Sequence, residues 1–453
     1  MKSTAVVLAA GHGIRMESSL PKVLHSLGGR PLLQYSLNAV RQATNTTPLV
    51  VVGSEAKEIR ETAEQTGKDI LVAIQQEQLG TGHALRQAES QLRGKNDLVI
   101  VTSADLPLIT VESFRMLVEE QQSHTGPMTM LTVISDKPRG FGRIMRDADK
   151  QVIGIVEEAQ ATPEQLKINE LNVGAYCFQA RWLWDALPQL PLSPKGEYYI
   201  TDLVAIAVEE GLEVNALTLD DTTEAIGINT RAHLAEAEAA LRQRINHRWM
   251  LAGVTIRNPD TTYIDEDVTI GPDTTIMPNT MLQGTTSIGV NCTLGPNTII
   301  TDSQIGDECK ILASVVEEAK LEDNVDVGPY CHLRKGAHLA SGVHMGNFGE
   351  VKNSYLGPGV KMGHFSYLGD ATIGKNVNIG AGTITANYDG VTKHHTEIEA
   401  DAFIGSDTML VAPLKIGKGA RTGAGSVVTK DVPDQTVVVG IPARAIRKIQ
   451  PSE

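Results

Sequence analysis

Aromatic side chains are scarce in this chain, at 4% of its 453 residues, and cysteine is scarcer, with four. A core built on large rings is thereby excluded, and aliphatic residues must do the filling. Cys177, Cys292, Cys309 and Cys331 are scattered, with no pair at metal-ligand or redox spacing. They read as reduced thiols of a cytoplasmic protein. No apolar run approaches the ~20 residues that a membrane helix requires, and no signal-peptide core follows Lys2. A cytosolic protein without a membrane partner is expected. Basic residues are also in short supply, with 40 Lys and Arg against 54 Asp and Glu and a net charge of -14. That balance argues against nucleic acid as a partner. A phosphorylated small molecule remains open, because local cations decide its binding.

What the chain has instead is a ladder of aliphatic residues six apart. Ile264, Ile270, Ile276, Leu282, Ile288, Leu294 and Ile300 share one register, and Leu321, Val327, Leu333, Leu339, Met345 and Val351 make a second run. Leu356, Met362 and Leu368 form a third run, and Ile398, Ile404, Leu410, Ile416 and Val428 a fourth, with Thr422 in its gap. A period of six fits neither a helix nor an alternating strand, and it predicts a parallel β-helix whose stacked coils bury one aliphatic per side. Glycine often follows the aliphatic, as at Gly271, Gly289 and Gly405, which predicts tight corners. The steps from Ile300 to Ile305, Val351 to Leu356 and Leu368 to Ile373 are one residue short. They predict adjusted corners within a continuous solenoid.

Residues 1–228 alternate between short apolar strands and amphipathic helices. Strands are expected at Thr4–Ala10, Leu49–Val52, Ile70–Ile74 and Asp97–Thr102, and helices at Pro31–Ala43, Glu55–Gln65 and Gly82–Leu92. This order predicts a mostly parallel sheet with helices on both faces and ligands at the carboxyl ends of its strands. A charged segment without Gly or Pro follows and reads as a linker helix over 229–252. The solenoid and a short tail occupy 253–453.

Two strand ends stand out. Leu8, Ala9, Ala10 and Gly11 lead into His12, Gly13, Ile14 and Arg15, with Lys22 shortly after. Glycines admit a phosphate chain close to the backbone amides, while Arg15 and Lys22 supply charge. Asp105 closes the other strand and reads on its own equally as a capping carboxylate or a metal ligand. His25 and His83 read as structural.

The glycine loop resembles the signature of sugar-1-phosphate nucleotidylyltransferases. The segment Gln75-Gln76-Glu77-Gln78-Leu79-Gly80-Thr81-Gly82-His83-Ala84 is similar to the uracil-reading stretch of their bifunctional bacterial members, which also acetylate glucosamine-1-phosphate. The resemblance covers nearly the whole chain. It implies a Rossmann-like α/β nucleotidyltransferase domain followed by a left-handed parallel β-helix. It further implies that Leu8, Ala9, Ala10 and Gly11 line UTP, that Gln75, Gly80 and Thr81 contact uracil, and that Lys22 and Arg15 stabilise the departing pyrophosphate. Gly140, Glu157 and Asn172 match the binders of the N-acetylglucosamine moiety, Asn229 belongs to the same nucleotide and sugar site, and Asp105 and Asn229 match the Mg²⁺ ligands. Two departures accompany the match: Ile14 replaces a Thr, and His12 stands where a Lys is common.

The solenoid carries a segment richer in polar groups than a scaffold requires, from Asn347 to Gly390. With about 18 residues per coil, Glu350 and Lys352 are expected one coil below His364. The resemblance makes His364 the general base for acetyl transfer from acetyl-CoA, with Glu350 orienting it. It makes Arg334, Lys352, Tyr367 and Asn378 the sugar-phosphate binders, and Asn387, Tyr388, Ser406 and Ala424 the acetyl-CoA contacts. A homotrimer with sites between subunits is implied. Gly440 departs from the family's Arg, and Arg444 is the nearest replacement. His338 and His344 are six apart and fall on different sides of the prism, so zinc is not expected. Two other readings are a monofunctional nucleotidylyltransferase with a scaffolding solenoid and a non-catalytic sugar-nucleotide-binding regulator.

Overall fold

The computed structural model describes residues 1–448 apart from His12, Glu55, Ala56 and Lys68. The chain divides into two units, Met1–Leu241 and Arg242–Glu453.

In the first unit, strands β1 (Ser3–Leu8), β2 (Leu49–Gly53), β3 (Leu71–Gln75) and β4 (Leu98–Ser103) pair in parallel, as the alternating pattern predicts. Continuing along the chain are β5 (Met128–Ile134), β6 (Arg143–Arg146), β7 (Val152–Val156), β8 (Glu170–Gln179) and β9 (Val214–Leu219). The sheet order is β9-β5-β8-β4-β1-β2-β3, and β6 joins β8 to β7 at one side. β8 runs antiparallel to both β4 and β5, so the sheet is mixed. Ala5 and Val7 bury into one face of the sheet and Val6 into the other. Both faces are therefore covered, and the central strands are apolar throughout.

The expected helix over 82–92 is two pieces, Thr81–Arg86 and Glu89–Leu92. The break has a local cause. The Gln87 side-chain amide donates to the His83 carbonyl at 3.0 Å, while the Gln87 backbone N–H turns back to Ala84. The next helical bond is thereby displaced. The segment read as starting at Glu55 begins outside the described residues and is helical over Lys57–Thr66. The long helix Arg231–Leu251 contains the division between the units.

The second unit is a left-handed parallel β-helix whose sides form 12-, 10- and 9-stranded sheets among the described residues. Most of its strands are two residues long and end on the predicted aliphatic, as in Thr269–Ile270 and Thr275–Ile276. A second interior position escapes the sequence reading. Thr274, Thr280, Thr286 and Thr298, each two residues before an aliphatic, are fully buried. Small residues fit beneath the next coil, and their hydroxyls donate to carbonyls, as Thr280 does to Met277 at 2.7 Å. Cys292, Cys309 and Cys331 occupy the same kind of position and are buried as free thiols.

Glycine follows the aliphatic for a reason other than corner flexibility. A Cβ on Gly271 would stand 2.7 Å from the carbonyl carbon of Gly289 in the next coil. The column demands absence of a side chain, not a left-handed backbone. Left-handed residues turn the corners instead, and Asn and Asp predominate there. The three short steps each turn through one such residue, Asp302, Asn353 and Asp370, with φ of 46°, 45° and 51°.

Candidate active sites

The carboxyl ends of β1 and β4 lie side by side, because the Ala104 N–H donates to the Leu8 carbonyl at 2.9 Å. This brings the glycine loop and Asp105 together. The Lys22 ammonium bridges them, donating to Asp105 at 2.5 Å and to Asn229 Oδ1 at 3.1 Å. Three residues from distant parts of the sequence thus converge on one point. Gly13 has φ +63°, and a Cβ on it would stand 2.5 Å from Lys22 Cβ. The loop therefore requires glycine both for its conformation and for the approach of this lysine.

A cavity of about 660 Å³ opens here, lined among others by Leu8, Ala9, Ala10, Gly11, Arg15, Lys22, Gln75, Gly80 and Thr81. Gln75 is buried and donates to the Gly80 carbonyl at 3.1 Å. Gly80 has φ +96°, and a Cβ there would stand 2.6 Å from the Tyr198 carbonyl oxygen. An adjoining cavity of about 300 Å³ holds Gly140, Glu157 and Asn172. The two cavities share Leu8, Thr81, Ser103, Asp105, Tyr199 and Asn229. Glu157 accepts from Thr201 at 3.0 Å, and Asn172 donates to the Tyr176 hydroxyl at 2.8 Å. Ile14 is exposed on the rim of the larger cavity, and the His12 departure lies outside the described residues.

Asp105 and Asn229 offer oxygens that already converge on a cation, the Lys22 ammonium, and a hard divalent ion favours such donors. Among the described residues no group of three or more His, Cys, Asp or Glu side chains is placed to hold a metal. His338 pairs with Glu322 and His344 with Asp326, each at a separate site.

Tyr199 and Asp202 belong to this region and were not singled out by the sequence reading. Burial raises the Tyr199 hydroxyl pKa, aided by Glu197, and burial with the nearby Glu157 charge raises the Asp202 carboxyl. Nothing in one sequence marks them, since only the fold sets residues 197–202 against 103–105.

His25 lies beneath the start of the long helix. It is buried, and its Nδ1 lies 3.1 Å from the Arg231 guanidinium. Burial lowers its pKa below 6.5, and Arg231 lowers it further. The unfolded chain therefore takes up this proton first. Stability of the first unit is expected to fall as pH drops from 6.5 through the folded-state pKa. Melting temperature against pH checks this; in His25→Gln that part of the slope disappears.

On the solenoid, Glu350 stacks between His332 and Tyr367 on the 10-stranded sheet. The offset to Tyr367 is 17 residues, because of the short step after Val351. Glu350 thus stands under Tyr367 rather than His364, and it accepts from Arg334 at 2.8 Å. The expectation that it orients His364 gives way to a role in holding Arg334. Arg334 and Lys352 occupy the same position in successive coils, one residue beyond Leu333 and Val351. The Lys393 charge, followed by that of Arg334, lowers the Lys352 pKa. Lys352 thus lies within reach of two other cations, of which the sequence reading missed Lys393. Tyr367 folds over Gly369, where a Cβ would stand 2.2 Å from its hydroxyl.

Asn378 lies on the neighbouring 12-stranded sheet, paired with Lys361 and Phe403, and Phe403 pairs with Arg421. Three residues further along each strand, His364, Ala381, Ser406 and Ala424 mark the same corner of successive coils. His364 is exposed there. Arg421 pairs with Val437, which puts Gly440 at the end of this column. Arg444 lies on the outer strand, opposite Val439. Asn387 and Tyr388 open a loop that leaves the prism. Asn387 donates to Asp370 at 2.5 Å, and Asp389 accepts from the Val391 and Thr392 amides and from His394. The His394 hydrogen bond, with the two amides, holds the Asp389 carboxyl well below the usual range.

Residues 5–198 match the MobA-like NTP transferase domain, residues 267–302 the bacterial transferase hexapeptide (six repeats), and residues 396–430 the hexapeptide repeat of succinyl-transferase. The chain is 42% identical to a bifunctional protein GlmU of Streptococcus agalactiae serotype V, over 97% of this chain and 95% of that one. It is 44% identical to the GlmU of Pelobacter propionicus, covering 96% and 95% of the two chains. It is 46% identical to that of Heliobacterium modesticaldum, covering 97% and 95%. With identity of 42 to 46% sustained over nearly the whole of each partner, this chain belongs to the GlmU family of bifunctional proteins.

Proposed function

We propose that this enzyme makes UDP-N-acetylglucosamine in two steps at two sites. Residues 253–453 transfer an acetyl group from acetyl-CoA to glucosamine-1-phosphate. Residues 1–228 then couple the product to UTP with release of pyrophosphate, and residues 229–252 join the two. The observation that carries the reading is the shared wall of the two N-terminal cavities. A reaction that joins a nucleotide to a sugar phosphate requires two pockets meeting at the reacting phosphates, and Asp105, Asn229 and the adjacent Lys22 stand at that meeting point.

In the first step Arg334, Lys352 and Lys393 hold the sugar phosphate, with Tyr367 and Asn378. His364 takes a proton from the amine as its nitrogen attacks the thioester carbonyl, and the CoA thiolate leaves and is protonated. Asn387, Tyr388, Ser406 and Ala424 contact acetyl-CoA. The corner column shared by His364, Ser406 and Ala424 supports this assignment.

In the second step Leu8, Ala9, Ala10 and Gly11 hold the nucleotide, with Gln75, Gly80 and Thr81 at uracil. Gly140, Glu157 and Asn172 hold the amino sugar. The sugar-phosphate oxygen attacks the α-phosphorus of UTP, and Arg15 and Lys22 stabilise the departing pyrophosphate by charge and position. Mg²⁺ held by Asp105 and Asn229 supplies further neutralisation of phosphate charge when bound. The working assembly is a cytoplasmic homotrimer.

Purified protein given glucosamine-1-phosphate and acetyl-CoA, without nucleotide, is expected to release free CoA thiol. The same protein given UTP and N-acetylglucosamine-1-phosphate is expected to release pyrophosphate. Pyrophosphate without thiol would reduce the solenoid to a scaffold.

A further inference from the structure

The start of the long helix Arg231–Leu251 holds residues adjacent to the linings of both N-terminal cavities, Met16 beside Arg15 and Arg139 beside Gly140. Toward the nucleotide side, Arg231 donates to the Met16 carbonyl at 3.3 Å and meets His25, and Glu238 accepts from the Gly28 N–H at 3.0 Å. Toward the sugar side, Glu236 takes both guanidinium nitrogens of Arg139, at 2.5 and 2.6 Å. The Arg139 side chain is only 15% exposed.

Arg139 sits immediately before Gly140, and both have left-handed backbones, with φ of 50° and 82°. Gly140, Phe141 and Gly142 form one side of the 300 Å³ cavity. Phe141 packs over Gly227, where a Cβ would stand 3.3 Å from its ring. The turn is otherwise held by the Phe141 N–H on the Pro138 carbonyl at 2.8 Å. A non-glycine residue held at φ 50° is strained in isolation, so something beyond the turn must fix it. The two-pronged ion pair is that fixture. The Arg139 hydrogen bonds, with the Arg139 and Lys137 charges, hold the Glu236 carboxyl below the usual range.

We propose that the Arg139–Glu236 pair is a latch that sets the Gly140 turn for the amino sugar, so that Arg139 and Glu236 are positioning residues for the sugar half of the uridylyltransferase site. The inference rests on the reading of that site given above. Its signature is asymmetry: loosening the latch weakens sugar-phosphate binding and leaves the nucleotide side alone. Arg231 is held to the opposite wall and provides the contrast.

Uridylyl transfer by the full chain would be measured with each substrate varied in turn. Arg139→Ala and Glu236→Gln are each expected to raise KM for N-acetylglucosamine-1-phosphate about tenfold, with KM for UTP within about twofold and kcat within about threefold. Glu236→Gln keeps the shape of the side chain, so it reads the latch even where Arg139→Ala fails to fold. Exchanging the charges, with Arg139→Glu and Glu236→Arg together, should recover most of the lost sugar affinity. Arg231→Gln should show the reverse asymmetry. An unchanged sugar KM, or both KM values rising together in Glu236→Gln, overturns the latch. Unsubstituted protein inactive toward this sugar phosphate would instead remove the functional reading, and the latch with it.

Discussion

Asp105→Ala is expected to lower uridylyl transfer by ~10³-fold, with acetyl transfer unchanged. Among the described residues Asp105 is the one carboxylate that lines both N-terminal cavities, and it accepts from Lys22. Its removal takes away negative charge that holds the lysine and the proposed Mg²⁺ against the phosphates. The pair is mostly buried, with 11% and 20% of the two side chains exposed. The alanine variant therefore also leaves an ammonium with Asn229 as its remaining acceptor, and a lower melting temperature should accompany the loss. Asp105→Asn preserves the volume and removes only the charge. Pyrophosphate release and CoA thiol release, measured on the same preparations, decide the outcome. Equal loss of both activities in the asparagine variant would refute independent sites.

The second large effect lies on the solenoid. His364→Ala is expected to reduce thiol release about 10³-fold at pH 7.5 and to leave pyrophosphate release within twofold. The ring is exposed at the corner that Ser406 and Ala424 continue. Among the described residues it has no hydrogen-bond or ion-pair partner, so the substitution removes a proton acceptor without breaking a structural contact. A loss of that size with an unaltered melting curve is the mark of general-base catalysis. Acetyl transfer near the unsubstituted rate would take the base role from His364.

The contrast between these two histidine and carboxylate sites explains what was legible in advance. The six-residue ladder is a local rule that repeats, so Ile264 through Val428 could be placed in the core by counting. The small buried residues two positions earlier were not legible, because Thr and Ser carry no hydrophobic signal. Thr280 reveals its place only when its hydroxyl is found on the Met277 carbonyl. The glycine motif announced Lys22 and Arg15 by spacing, whereas Tyr199 and Lys393 carry no motif. Glu350 shows the cost of counting alone: the coil there has 17 residues instead of 18, and it sets Glu350 beneath Tyr367, three positions beyond His364.

The sequence by itself determined the two architectures, the interior aliphatics and the family. Each depends on periodicity or on contiguous residues, and these survive in one dimension. Only the tertiary structure decided that Lys22, Asp105 and Asn229 meet, that Lys393 and Arg334 come near Lys352, and that Arg139 is held by Glu236. Those partners are separated by up to 207 residues. Parallel pairing of β1 with β4 and coil-on-coil stacking bring them together, and the fields and hydrogen bonds that do chemistry act across a few ångströms of space rather than along the chain.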